Sequence, residues 1–90
     1  MVYAIEFEPQ ALKELGAIDR PAQRLIREKI LLLGENYAAI KNNITQLKGQ
    51  KEPLFRLRVA DYRVIFSKDD TRIIIFIVRV RHRREVYEER

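Results

Sequence analysis

The sequence contains no cysteine, no tryptophan and a single histidine, His82. Without cysteine there is no disulfide framework and no thiolate metal site, and one imidazole is too few for a structural zinc site. We therefore expect neither a metal nor a cofactor. The longest apolar run, Ile73 to Val78, is far shorter than the roughly 20 residues of a membrane helix, and the N-terminus does not resemble a signal peptide. These absences predict a cytoplasmic protein that does not bind membranes.

Glycine and proline are also scarce, with three of each in 90 residues. No repeat, low-complexity tract or interdomain linker interrupts the chain. Hydrophobic residues make up 47% and charged residues 34%, which is ordinary for a globular protein. The length suits one small core and no more. We expect a single domain over residues 1–90.

The positive charge is concentrated in the second half of the chain. Residues 1–47 carry six basic and six acidic side chains, whereas residues 48–90 carry twelve basic and seven acidic ones; 12 − 7 accounts for the whole net charge of +5. Such asymmetry is typical of a polyanion-binding surface. A solvated, solubilising surface is the simpler explanation for scattered charges, but here the basic residues follow strand periodicity, which favours binding.

The hydrophobic pattern predicts an α+β domain. A first strand is expected at Val2 to Phe7, followed by a short helix that Glu8-Pro9 begins and Gly16 ends, with Ala11, Leu12 and Leu15 on its apolar face. A second helix begins at Asp19-Arg20-Pro21 and ends near Gly34 to Asn36, and its apolar positions (Ala22, Leu25, Ile26, Ile30 and Leu33) follow helical spacing.

Tyr37 to Gln46 is predicted to be a loop. Three consecutive strands are expected at about Lys48 to Val59, Tyr62 to Ser67 and Thr71 to Arg81, with tight links at Ala60-Asp61 and Asp69-Asp70. The helix hairpin then packs on a mainly antiparallel, four-stranded sheet.

A two-residue turn at Ala60-Asp61 fixes the register of the first hairpin. It pairs Val59 with Tyr62, Arg58 with Arg63, Leu57 with Val64 and Arg56 with Ile65. Tyr62 then belongs to the core, while Arg56, Arg58 and Arg63 share the opposite face. Like charges directly opposite one another destabilise a sheet, so an anionic ligand is favoured there; the alternatives are that the side chains splay into water or that the turn is longer.

The last strand is apolar on both faces from Ile73 to Val78, which favours a central strand covered on each side. Its register stays open, because turns that differ by one residue expose opposite faces. Either register brings a basic cluster to the point where this strand leaves the sheet, namely Arg79, Arg81, His82, Arg83 and Arg84.

These residue types suit cleavage of RNA by its own 2′-hydroxyl. Arg63 and Arg83 would stabilise the charge that develops on the phosphate, and Tyr87 would stack on a base or bond the 2′-hydroxyl. His82 is the one side chain that ordinarily titrates near neutrality, and surrounding cations favour its neutral, basic form. Each has a simpler explanation: a lone histidine is more often a surface or packing residue, and Tyr87 could anchor the C-terminus. Flanking RNA contacts are predicted for Arg56, Arg58, Lys48, Lys51, Arg81 and Arg84.

Three segments together resemble the RelE/ParE superfamily of bacterial and archaeal toxins, and most closely its RelE branch. They are Leu47 to Gly49, Phe55 to Phe66 and Val80 to Tyr87, and the resemblance covers nearly the whole chain. It implies a ribosome-dependent endoribonuclease that cleaves mRNA in the ribosomal A site and is neutralised by a cognate antitoxin encoded beside it.

The resemblance also implies residue roles. Arg56 and Arg58 fall at the basic positions of the second strand, Arg63 and Arg83 at two family arginines, and Tyr87 at the tyrosine of the C-terminal motif. His82 stands where the family varies between histidine and lysine. Members with a lysine base have it where this chain has Arg56 or Arg58, and arginine stays protonated, so the base is left open.

Two other functions remain under consideration. The ParE branch shares the fold and inhibits DNA gyrase by protein binding, and a non-catalytic RNA-binding domain would also need a basic sheet. The combination of Arg63, Arg83 and Tyr87 favours RNA cleavage, since a gyrase inhibitor does not need it.

Overall fold

A computed structural model describes residues 2–83. Within these residues, two α-helices and a short 3₁₀ helix accompany a five-stranded sheet of strand order β1-β5-β4-β3-β2. β1 is parallel to β5, and the other neighbours are antiparallel. In chain order the elements are β1 (Ala4–Phe7), α1 (Pro9–Gly16), α2 (Arg20–Glu35), the 3₁₀ helix (Tyr37–Asn43), β2 (Ile44–Leu47), β3 (Leu54–Val59), β4 (Tyr62–Asp69) and β5 (Ile74–His82). The α+β class is confirmed, with one strand more than predicted.

The additional strand lies where a loop was predicted. Residues 37–46 form the 3₁₀ helix and most of β2, which pairs with β3 along its length. Two of its four residues, Thr45 and Gln46, are exposed, so the strand lacks the alternation that would have revealed it. The strand predicted from Lys48 begins only at Leu54, because Gly49 has a φ of +80° and proline at position 53 cannot donate to a strand ladder.

Both helices begin at the predicted signals. Pro9 stands in the first turn of α1, and the Asp19 carboxylate accepts a hydrogen bond from the Ala22 amide at 3.2 Å to cap α2. Such a cap contributes about 1 kcal/mol. Leu12 was predicted on the buried face of α1, but the structure leaves it 54% exposed. At the end of α2, an added Cβ on Gly34 would lie 2.9 Å from the Tyr3 carbonyl, so only glycine allows β1 to approach this closely.

The helices cover one face of the sheet, and the hydrophobic core lies between the helices and that face. From the helices it contains Ala11, Leu15, Ile26, Ile30 and Leu33, and from the sheet Leu57, Val59, Val64, Phe66, Ile75, Ile77 and Val80. Tyr62 packs against this cluster, as predicted. The opposite face of the sheet, which we call the open face, carries none of the helices described. β5 is an interior strand, as expected, but the helices within residues 2–83 cover only one of its faces, and Phe76 and Val78 are half-buried.

A cluster of aromatic rings closes the end of the sheet near β2. The Lys68 ammonium lies 4.6 Å from the centre of the Tyr37 ring and 5.5 Å from that of Phe55, close enough for cation–π attraction. Asp70 joins this cluster, since its carboxylate accepts a hydrogen bond from the Tyr3 hydroxyl at 2.6 Å. Within the described residues, no helix is long and apolar enough to cross a membrane.

Candidate nucleic-acid interface

Three arginines stand side by side on the open face. Arg63 of β4 pairs with Arg58 of β3 on one side and with Arg81 of β5 on the other. Neighbouring strands are about 4.8 Å apart, so three guanidinium groups project from one line across the sheet. We call Arg58, Arg63 and Arg81 the arginine row. Arg56 lies on the same face, two residues before Arg58.

The register of the first hairpin is as predicted from the two-residue turn. Val59 pairs with Tyr62, and Arg58 pairs with Arg63. Ala60, the first turn residue, has a φ of +53°, and a positive φ at this position is a feature of the tight turns that suit the twist of a hairpin. The turn therefore places the two arginines opposite each other, next to the end of the hairpin.

A β-bulge decides which side chains of β5 join the row. Ile65 pairs with Arg79 and Phe66 pairs with Ile77, so Val78 is an extra residue on β5. Before the bulge, Ile77 faces the core; after it, Val80 does. Without the extra residue, the alternation of the strand would turn Arg81 towards the helices.

Arg63 is the most buried member of the row, with 9% of its surface exposed. Its Nη1 donates a hydrogen bond to the neighbouring Tyr62 carbonyl at 3.2 Å. Within residues 2–83 the ion pairs are Lys68–Asp70 and Arg79–Glu14, and neither includes Arg56, Arg58 or Arg63. A buried guanidinium flanked by like charges is costly. An anion on the open face would offset this cost.

His82 lies on the other face of the sheet. It pairs with Tyr62, and the two rings are in edge contact, with centroids 5.2 Å apart and an interplanar angle of 86°. A cavity of about 490 Å³ on this side is lined by Glu14, Ala17, Ile18, Asp19, Tyr62, Val80 and His82. The structure thus separates His82, a catalytic candidate of the sequence analysis, from the arginine row.

The remaining predicted site residues fall into three groups. Arg83 follows β5, is exposed, and donates its backbone N–H to the Asp61 carbonyl at 2.6 Å, so it lies beside the hairpin turn. Lys48 and Lys51 are exposed in the link before β3, about 20 Å of strand away from that turn, and are not brought to the row. Arg84 and Tyr87 lie outside the described residues.

The basic cluster predicted at the end of β5 is divided by the structure. Arg81 joins the row and His82 faces the helices, while Arg79 is held by Glu14 of α1 at 2.7 Å. Sequence reasoning missed Glu14, since one carboxylate on a short helix gives no signal of a contact 65 residues further along the chain.

The Glu14 carboxylate is partly buried but ionised. Burial acts to raise its pKa, while hydrogen bonds from Arg79 and Val80 act to lower it, and the net shift of the pKa is downward. Within residues 2–83, no three histidine, aspartate or glutamate side chains are grouped so that they could hold a metal ion.

Comparison with known proteins defines the class. Residues 5–87 match the family described as the ParE toxin of type II toxin–antitoxin system, parDE. The chain is therefore a toxin of a type II toxin–antitoxin system, and it belongs to the RelE/ParE superfamily. A search of curated proteins finds no match to the chain.

Solved structures of RelE toxins share the fold. The toxin of the archaeal RelE–RelB complex from Pyrococcus horikoshii is 26% identical, with a TM-score of 0.77 over 92% of this chain and 97% of that one. A double arginine-to-alanine mutant of E. coli RelE in the free state is also 26% identical, with a TM-score of 0.71 over 99% of this chain and 94% of that one. A RelBE complex from Mycobacterium tuberculosis, at 24% identity and a TM-score of 0.77 over 92% and 94% of the two chains, shows the fold alone.

Proposed function

We propose that this toxin cleaves mRNA in the ribosomal A site and thereby inhibits translation. The observation that carries the proposal is the arginine row, in which a nearly buried Arg63 lies between two further arginines on an open sheet face. Arg58 and Arg63 take part in no ion pair within residues 2–83, and like charges directly opposite each other are unfavourable in a sheet but favourable around an RNA phosphate. The row is therefore built for a bound polyanion.

The reaction consistent with this site uses a nucleophile supplied by the RNA. The 2′-hydroxyl gives up its proton to water as its oxygen attacks the adjacent phosphorus, the bond from phosphorus to the 5′-oxygen breaks, and the leaving 5′-oxygen takes up a proton from water. The products are a 2′,3′-cyclic phosphate and a 5′-hydroxyl. Negative charge accumulates on the phosphoryl oxygens in the transition state. Arg63 would donate to these oxygens, with Arg83 near the leaving side and Arg58 and Arg56 on flanking phosphates. Each such preorganised donor is worth on the order of 10²–10³ in rate.

Tyr87 completes the proposed site as the side chain that stacks on a base or bonds the 2′-hydroxyl. Base–aromatic stacking contributes about 1–3 kcal/mol. Arginine does not accept the 2′-hydroxyl proton at neutral pH, and His82 faces the helices. Cleavage by this chain therefore depends on orientation and charge stabilisation more than on a strong base.

This dependence on orientation supports the proposal that cleavage requires the ribosome. Holding RNA in a reactive geometry can supply about 7–11 kcal/mol of the barrier, and the ribosome would hold the A-site codon in place. Primer extension on mRNA in programmed ribosomes, beside the same RNA free in solution, tests this. Cuts are expected on the ribosome and hardly any on free RNA; equal cleavage of both would contradict the ribosome requirement.

A cognate antitoxin is the proposed protein partner. The similar chains from Pyrococcus horikoshii and Mycobacterium tuberculosis come from toxin–antitoxin complexes. The basic residues after position 47 would attract an acidic partner. Such an antitoxin would neutralise this toxin by covering or dismantling its basic surface.

Inhibition of DNA gyrase is the second candidate, because the matching family is the ParE toxin family. A gyrase inhibitor would act by binding a protein, with no RNA cleavage. Gyrase-catalysed supercoiling of relaxed plasmid, measured with and without the toxin, separates the two functions. We expect supercoiling to be unaffected; inhibition of gyrase without any mRNA cuts would replace the first proposal by the second.

A further inference from the structure

β5 loses its outer neighbour before it reaches the arginine row. The parallel pairing with β1 ends at Phe7 and Ile77, and the Glu8 amide makes the last backbone contact by donating to the Ile77 carbonyl at 2.9 Å. The chain then turns into α1. From Arg79 onward, no strand formed by residues 2–83 lies beside the edge of β5 that faced β1, although Arg81 still has to be held in place.

Glu14 of α1 occupies the place of the missing strand. Its Oε1 accepts a hydrogen bond from the Val80 backbone N–H at 2.7 Å. Its Oε2 accepts from Arg79 Nε at 2.9 Å and from Arg79 Nη2 at 2.7 Å. One carboxylate thus joins the helix to the backbone and to a side chain of β5 through three short, charge-assisted hydrogen bonds, which are among the stronger ones in proteins.

These contacts affect the arginine row in two ways. Val80 immediately precedes Arg81, so its hydrogen bond fixes the backbone that carries this arginine. Arg79 also pairs with Ile65, a position on the open face, and the ion pair draws its guanidinium to α1. Without that ion pair, Arg79 would add a further cation beside the row, as Arg56 does on the other side of Ile65, and would disturb the arrangement of Arg63 and Arg81 by repulsion.

We infer that Glu14 is a positioning residue, which holds the end of β5 so that Arg81 stays in line with Arg63 and Arg58. The inference rests on the proposed RNA-cleaving function for its catalytic consequence. The structural part of the inference does not rest on that function. It concerns only the placement of the guanidinium groups, which inorganic phosphate can probe. No contact between Glu14 and RNA is implied.

Two replacements of Glu14 separate its contacts. Glu14→Gln keeps an oxygen that accepts from the Val80 N–H and loses the charge that holds Arg79, whereas Glu14→Ala loses both. Glu28→Ala is the matched control, because Glu28 is an exposed carboxylate of α2. With programmed ribosomes, we expect cleavage by the alanine variant to fall about 100-fold, the cost of a displacement of about 1 Å in an active site. The glutamine variant should fall about tenfold, and the control should be unchanged.

Two further measurements distinguish positioning from general stability. Exchange of the Val80 amide should accelerate in Glu14→Ala and stay slow in Glu14→Gln, at a temperature where circular dichroism shows both proteins folded. Titration with inorganic phosphate, followed through the arginine Nε resonances, should show weaker binding to the row in both variants and wild-type binding in Glu28→Ala.

The outcomes are distinct. If wild-type toxin does not cut mRNA, the proposed function fails, and the phosphate titration still decides the role of Glu14. If both Glu14 variants bind phosphate and cleave like wild type, Glu14 is not a positioning residue. If Glu14→Ala unfolds while Glu14→Gln behaves fully like wild type, the carboxylate serves only the stability of the fold.

Discussion

Among single residues, Arg63 combines the burial of a core residue with the chemistry of a ligand-binding one. The side chain is 9% exposed, yet it lies on the open face between Arg58 and Arg81. The strands on either side hold it in place, and the loss of freedom on binding a phosphate is correspondingly small. Such preorganisation is what a transition-state contact requires.

Replacing Arg63 or Arg83 by alanine is expected to abolish growth arrest and to lower cleavage on ribosomes by about 10²–10³-fold. Neither side chain belongs to the hydrophobic core, so both variants should fold. Arg24→Ala, which removes an exposed arginine of α2, is the matched control. Primer extension gives the rates and circular dichroism the fold. A fully toxic Arg63→Ala would show that the row is not the cleavage site.

His82→Gln is expected to leave cleavage within a few-fold of wild type. The imidazole faces Tyr62 and the helix side of the sheet, away from the arginine row. A pH–rate profile on ribosomes, compared between wild type and His82→Gln, would show whether one titrating limb of the profile disappears with the histidine. Loss of that limb of the pH–rate profile, together with most of the activity, would identify His82 as the base.

The raised pKa of Tyr3 indicates how the stability of the fold changes at alkaline pH. Its hydrogen bond to Asp70, together with burial, raises the pKa of Tyr3 from 10.0 to about 12. The raised pKa means that the folded state favours the protonated phenol. The resulting stability is fully present below pH 10 and is lost as the pH rises from about 10 to about 12.

Tyr3→Phe should therefore unfold with a weaker pH dependence than wild type in this range. Urea unfolding at several pH values measures the free energy of unfolding. Tyr37→Phe is a useful comparison. Burial also raises the pKa of Tyr37, but within residues 2–83 the side-chain hydrogen bond to Asp70 comes from Tyr3 and not from Tyr37. Identical pH curves for wild type and Tyr3→Phe would contradict the assigned role of the Tyr3–Asp70 contact.

At the scale of elements, the sequence predicts what depends on local chemistry. The starts of the helices, the register of β3 and β4, and the basic face of β3 all follow from turn residues and alternation within short segments. The failures come from contacts between distant segments. β2 is a polar edge strand that exists only because β3 offers it a partner.

The site was predictable to the same extent. Arg58 and Arg63 could be paired from their turn, whereas the place of Arg81 depends on one extra residue, Val78, which the bulge inserts. A bulge reverses the alternation of side chains without leaving a mark in the hydrophobic pattern. For the same reason, the sequence could not separate His82 from the arginines.

The link between β4 and β5 predicts a stabilising substitution. Residues 70–73 form this link, longer than the predicted Asp69-Asp70 turn, and Asp69 accepts hydrogen bonds from the Thr71 and Arg72 amides at 3.0 Å each. Ile73 has a φ of +58°, which is unfavourable for a β-branched residue by about 1–2 kcal/mol.

Ile73→Asn should therefore raise the free energy of unfolding by about 1 kcal/mol, because asparagine tolerates this conformation and Ile73 is 37% exposed. Chemical denaturation measures the change, with Thr71→Asn in the same link as the control. A lower stability for Ile73→Asn would mean that the packing of the isoleucine outweighs its backbone strain.

For the whole molecule, the uneven distribution of charge is expected to set the rate at which an antitoxin associates with the toxin. The residues after position 47 hold the entire net charge of +5, and the arginine row gathers three of these cations on one face. Opposite charge on a partner accelerates encounter more than it strengthens the final complex. Fast capture would shorten the time for which the toxin is free of its antitoxin.

Association with the antitoxin should therefore slow as salt is raised, as stopped-flow mixing would show. Removing residues 86–90 should weaken toxicity, through loss of Tyr87, more than it weakens antitoxin binding by calorimetry, since most of the contact area is expected on the sheet and the helix hairpin. Complete loss of binding would identify the tail as the main docking site.

The parallel pairing of β1 with β5 has a consequence for the folding of the toxin during its synthesis. Ala4 lies beside Ile74, so the first strand must wait for a partner synthesised about 70 residues later. Contacts this distant in sequence form slowly and late, and the arginine row needs β5 as well. In the proposed mechanism, which uses the arginine row, a nascent chain is therefore inactive until β5 has joined the sheet. That delay gives an antitoxin made at the same time the opportunity to bind first.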